Sequence, residues 1–145
     1  MKIPDSVIKI DDEAFAYYNS YSIKKIILSK KLQTIGDRAF MHAQEVREIE
    51  LPDTLISIGD DAFANVELIK LAIPASVKYI GESAFVANSL TEVTYYGTSP
   101  DQITFKKPVF STQKPLTLIL PNAENINDPA WKTFLGGNFD NIRKQ

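Results

Sequence analysis

At 145 residues, 44% of them hydrophobic and 10% aromatic, the chain is long enough to bury one substantial core. A net charge of −2 supplies no clustered positive surface for phosphate, so nucleic acid is not expected as a partner. The absence of cysteine excludes disulfides, thiolate nucleophiles and cysteine-ligated zinc, and leaves the redox compartment open.

The N-terminus, MKIPDSVIKI, lacks the basic region and apolar run of a signal peptide, and no apolar stretch approaches a membrane span. Membrane insertion is therefore not expected. From Ile3 onward the sequence repeats itself. Ile3 to Phe15 (IPDSVIKIDDEAF), Leu28 to Phe40 (LSKKLQTIGDRAF), Leu51 to Phe63 (LPDTLISIGDDAF) and Ile73 to Phe85 (IPASVKYIGESAF) align without a gap. Phe15, Phe40, Phe63 and Phe85 are 25, 23 and 22 residues apart, and Phe110, 25 further on, marks a degenerate fifth unit. A second apolar pattern fills the intervals: Ile23, Ile26, Leu28; Val46, Ile49, Leu51; Leu68, Leu71, Ile73; Leu90, Val93, Tyr95. The last two positions of each set alternate with polar ones, which predicts one short strand per unit with one buried face. Such a unit cannot bury its own apolar side, but copies stacked about 4.8 Å apart make a parallel sheet over a continuous core.

Gly36, Gly59 and Gly81 recur at one phase, where the chain is expected to turn with positive φ or to approach another backbone closely; Asp11 stands there in the first unit. Asp37, Asp60 and Glu82 follow, suited to the positive end of a short convex helical turn. The repetition assigns Asp60 and Asp61 to turn chemistry rather than to a metal site. The Ala-Phe pairs are expected to stack into an aromatic ladder.

From Gly97 the pattern loosens into turn-forming residues expected to loop over the surface. Leu116 to Pro121 reads as the fifth strand, with Leu118 and Leu120 inward. Asp128 as N-cap, Pro129 at the first helical position and Gly136-Gly137 as a stop predict one short helix. Trp131, Phe134 and Leu135 would then cover the end of the last repeat, with Trp131 a core residue rather than a ligand platform. No equivalent lid precedes Ile3. Because solenoid ends need covering, the chain is expected to be the C-terminal piece of a longer protein or to self-associate through its N-terminal edge.

The motif L-P-x-x-L-x-x-I-G-x-x-A-F followed by L-x-x-I-x-L-P resembles the BspA-like leucine-rich repeat of bacterial and some protist surface proteins, over nearly the whole chain. The family often carries cysteine three residues after the Phe, where this chain has Tyr18, Ala43, Val66 and Asn88. The resemblance implies an α/β fold: a leucine-rich repeat solenoid with a parallel sheet of about five short strands, turns or short helical segments on the convex side, and a C-terminal capping helix. Residues 1–121 would form an array of about five repeats and residues 122–145 the cap, which matches the family's W-x-x-F ending. It further implies adhesion to host or neighbouring-cell proteins and a cell-surface or secreted location.

An enzyme is disfavoured by inventory. The single histidine, His42, lies beside no nucleophile motif and reads as a solvated loop residue, and no H-E-x-x-H, P-loop or G-x-G-x-x-G occurs. No cofactor or metal is implied. A repeat sheet does offer outward residues that vary without touching the core. They form two columns: Lys25, Glu48, Lys70, Glu92 and Thr117; and Ile27, Glu50, Ala72, Thr94 and Ile119. Lys25, Ile27, Glu48, Glu50, Lys70, Ala72, Glu92, Thr94 and Tyr96 are the candidate partner-binding face, for a protein ahead of a glycan. The first column alternates in sign, which equally suits a self-satisfied charge ladder on a structural spacer.

Overall fold

The computed structural model describes residues 1–18, 23–86, 89–111 and 114–145. Each of the first four units contributes two short strands where one was expected. They are β1 (Lys9–Ile10) and β2 (Lys25–Ile27), β3 (Thr34–Ile35) and β4 (Glu48–Glu50), β5 (Ser57–Ile58) and β6 (Lys70–Ile73), and β7 (Tyr79–Ile80) and β8 (Glu92–Tyr95). The chain ends with β9 (Leu116–Ile119) and β10 (Phe139–Arg143). All pairings are parallel. β1-β3-β5-β7 form one sheet, while β2-β4 and β6-β8-β9-β10 form two segments of another. The additional strands occupy the I-G phase of the motif; with two residues each, they are too short to display alternation.

Ahead of the first strand of a unit the chain makes a tight turn. Val7, Leu55 and Val77 N–H groups donate to the carbonyls of Pro4, Pro52 and Pro74, at 3.0, 3.1 and 3.3 Å. This i to i+3 closure explains the conserved spacing of Pro and the apolar residue within the chain. The second unit has Ser29 in place of proline. Its hydroxyl is buried, donates to Val7 C=O at 2.6 Å and accepts from Lys31 N–H at 3.1 Å, so it ties two turns together.

The core is one cluster running the length of the solenoid. At its centre the expected aromatic ladder is present. Phe15, Phe40, Phe63 and Phe85 stack with centroids 5.2 Å apart, Phe110 follows at 6.1 Å, and Phe139 meets Phe110 edge-on at 5.8 Å. At the other end Tyr18, where later units carry Ala43 and Val66, lies edge-on to the half-buried Phe15 at 6.3 Å. Asn88, the fourth residue of that position, lies outside the described residues.

At the turn, the close approach expected as one alternative for the glycines is what the structure has, and the expected acidic helix start is corrected. The glycines do not have positive φ: the left-handed residues are Glu13, Arg38, Asp61 and Ser83 two positions on, and Tyr17, His42 and Asn65 further along. What Gly36, Gly59 and Gly81 provide is close approach, since a Cβ at each would overlap the carboxylate and backbone of Asp12, Asp37 or Asp60 in the preceding turn. Nor do the acidic residues start a helix. Asp12 Oδ1 accepts from Asp37 N–H at 2.7 Å, Asp37 Oδ1 from Asp60 N–H at 2.9 Å, and Asp60 Oδ1 from Glu82 N–H at 2.9 Å. Glycine therefore makes room for a carboxylate that pins the next turn's backbone.

Residues 98–111 do not simply loop over the surface; they follow the solenoid path. Thr104 bridges Tyr79, Phe110 bridges Phe85, and Ile103, Val109 and Phe110 are buried. The C-terminal helix is also shorter than expected. Asp128 caps it by accepting from Ala130 N–H at 2.9 Å, but the 3₁₀ segment Pro129–Gly136 is broken by non-helical Thr133, Phe134 and Leu135. Trp131 is buried, donates from Nε1 to Asn125 C=O at 3.0 Å and packs against Phe134 and Tyr95. The chain then returns as β10, inside the segment expected to be only cap, and pairs with β9.

Candidate functional site

The outward columns stand where the strand pattern puts them. Lys25 pairs with Glu48, Lys70 with Glu92 and Glu92 with Thr117; Ile27 pairs with Glu50, Ala72 with Thr94 and Thr94 with Ile119. Ile26, Ile49, Leu71, Val93 and Leu118, one position away, are buried, so the period of two alone separates face from core. β10 adds Asn141 beside Thr117 and Arg143 beside Ile119. Sequence reasoning missed both residues because Phe139–Arg143 carries no repeat motif.

The charges on this face engage one another. Lys25 Nζ lies 3.4 Å from Glu48 and 3.2 Å from Glu50, Lys70 lies 3.8 Å from Glu92, and Arg143 lies 3.9 Å from the same Glu92. The hydrogen bond to Glu50, then that to Glu48, raises the Lys25 pKa above its ordinary value. The Lys25 pairs are solvent-exposed and weakened by screening, whereas Glu92 is half-buried between Lys70 and Arg143. Ile27 and Tyr96 are the exposed apolar members, 42% and 43% accessible, and Ile69 at the rim is 43% accessible. Tyr95, next to Tyr96, points inward instead; burial, and then Asp101, push its phenol up to about 12.

Each sheet carries a concavity. One, of about 370 Å³, crosses the smaller strands and is lined by Lys9, Thr34, Ser57, Tyr79, Gly36, Gly59 and Asp37. The other, of about 450 Å³, opens between β4 and β6, lined by Arg47, Glu48, Ile49, Glu50, Ile69 and Lys70. His42 has positive φ, stacks on Tyr17 at 4.9 Å and lies 3.5 Å from Asn65 Nδ2. Asp60 is engaged by Glu82 N–H, and Asp61 sits in the left-handed turn. Among the described residues no three His, Asp or Glu side chains cluster as metal ligands, and no helix is long and apolar enough to cross a membrane.

Stacked turns, parallel ladders and an inner phenylalanine column define a leucine-rich repeat solenoid. The family model of the BspA type leucine rich repeat region matches residues 8–134 with six copies, and the chain belongs to that family. The count exceeds the five units expected. Solved structures share the fold. The pneumococcal vaccine antigen PcpA is 22% identical with a TM-score of 0.65, over 99% of this chain and 40% of that one. The T. pallidum leucine-rich repeat protein TpLRR is 21% identical at 0.63, over 95% and 64%. A leucine rich cell surface protein of Faecalibacterium prausnitzii is 23% identical at 0.51, over 85% and 38%. The chain thus spans less than two thirds of each of these proteins. No curated protein matches it.

Proposed function

We propose that the chain is a non-enzymatic protein-interaction module of a larger cell-surface protein, in which the outer face of the longer strands receives a partner protein and supports adhesion. The observation that carries this reading is the separation of roles along each strand. Lys25, Ile27, Glu48, Glu50, Lys70, Ala72, Glu92, Thr94 and Tyr96 stand on the outer side while the residues alternating with them on the same strands are buried, so the face can specialise without cost to folding. Membership of the BspA-type family and likeness to a vaccine antigen and a cell surface protein support the location.

The internal pairing of Lys25, Glu48, Glu50, Lys70 and Glu92 favours a second reading, a spacer whose face is satisfied within itself. A chain with Glu48, Glu50 and Lys70 replaced by alanine separates the two. Cells displaying it should adhere to host or neighbouring cells less than wild type while its melting temperature is unchanged. Unchanged adherence supports the spacer.

A further inference from the structure

The outer face is interrupted between β4 and β6. On neighbouring turns Arg47 N–H donates to Lys24 C=O at 2.8 Å, Thr91 N–H to Ile69 C=O at 3.0 Å and Thr117 N–H to Thr91 C=O at 3.1 Å. Among the described residues, the corresponding rung from Ile69 N–H to Arg47 C=O is missing, and β4 and β6 belong to separate sheet segments.

The break coincides with a change in connection length. Seven positions separate Phe63 from Lys70, Phe85 from Glu92 and Phe110 from Thr117, and these turns pair continuously. Ten separate Phe15 from Lys25 and eight separate Phe40 from Glu48, and these two longer turns pair with each other. The break falls where eight gives way to seven. From Phe15 to Phe85 the rings keep a 5.2 Å pitch, and β3, β5 and β7 pair without interruption. With the inner side fixed, the unequal connection is expressed at the outer strands.

The resulting cleft of about 450 Å³ has Ile49, Ile69 and the stems of Arg47 and Lys70 in its wall. Each rim charge already has an ion-pair partner within the chain. Lys25 holds Glu48 and Glu50, Arg47 lies 3.3 Å from Glu67, and Lys70 lies 3.8 Å from Glu92. A charged occupant would have to displace one of these pairs, whereas an uncharged one leaves all of them intact.

We propose that this cleft anchors an aliphatic side chain from an extended, uncharged segment of a partner protein. The assignment rests on the outer face being the binding face. It converts a set of outward residues into one site with a chemical preference: apolar at the anchor, neutral beside it, and insensitive to ionic strength because no net charge is exchanged.

A phage-displayed library of short random peptides, selected on the intact chain, supplies the probe. Enriched peptides should carry an aliphatic residue among uncharged neighbours and shift the backbone amide resonances of Arg47, Glu48, Ile69 and Lys70. Ile69→Glu should weaken them by about tenfold or more, Lys132→Ala at the exposed surface of the C-terminal segment should not, and affinity should change less than about twofold between low and high salt. Ile69→Ser serves as the second variant should the glutamate disturb folding. Peptides that shift Thr94, Tyr96 and Ile119 instead overturn the cleft and leave the binding face standing. No enrichment, or peptides that bind the other sheet, overturn both.

Discussion

At the scale of single residues, position in the stack matters more than residue type. Phe63 has a ring on either side, whereas Phe15 is half-buried with Tyr18 edge-on at its open side. Phe63→Ala should therefore cost about 3–5 kcal/mol, and Phe15→Ala clearly less, in denaturant unfolding of the two variants. Thr54 and Ser76 hold equivalent turn positions with opposite outcomes. Thr54 Oγ1 donates to Leu32 C=O at 2.7 Å, while the buried Ser76 hydroxyl has no partner in the described chain. Thr54→Val should lose about 1 kcal/mol and Ser76→Ala nothing or a slight gain, a contrast that chemical denaturation resolves. Asp61 tests the charge of the turn. Burial, then the nearby Asp60 and Glu82 charges, raises its pKa above the ordinary carboxylate value, so the folded state holds this proton more firmly than the unfolded one. Stability is thus penalised above the folded pKa and regained as pH falls through it. Asn also suits the left-handed backbone. Asp61→Asn should raise the melting temperature near about pH 7, with a smaller gain near about pH 3. An equal gain at both would assign the whole effect to the backbone.

At the scale of elements, the longer strands were legible because inward apolar residues alternate with polar ones, as in Glu92–Tyr95. Thr34–Ile35 and its equivalents were not, since a two-residue strand shows a single inward side chain. β10 was hidden for another reason: Phe139 and Ile142 enclose an irregularity in register with β9, which removes the period of two from the sequence. The missing rung between β4 and β6 has a direct signature. In hydrogen exchange the Ile69 amide should exchange much faster than those of Arg47, Thr91 and Thr117, which have strand partners. Deleting one residue between Ala43 and Val46 equalises the two connections and should slow Ile69 exchange towards that of Thr91; if it does not, connection length is not the cause of the break.

For the whole molecule, the two ends differ. Trp131 and Phe134 close the C-terminal end against Tyr95, and Phe139 closes the phenylalanine column. Removing residues 122–145 would uncover Tyr95, Phe110, Leu118 and Leu120 together, so the truncated chain should aggregate or bind a hydrophobic dye strongly while the full chain does not; a soluble, cooperatively melting truncation would show the array closes without its lid. The recurrence of Phe and the I-x-L alternation were enough to determine the solenoid, its phenylalanine column and its inward and outward residues, because period and spacing are one-dimensional properties that stacking preserves. Tertiary structure alone decided that glycine makes room for a carboxylate, that each regular unit carries a second strand, and that the outer sheet parts between β4 and β6. Each of these depends on how one turn registers on the next, and that register is settled by contacts about 23 residues apart in sequence and by connection lengths whose effect is visible only once the inner column has fixed the pitch.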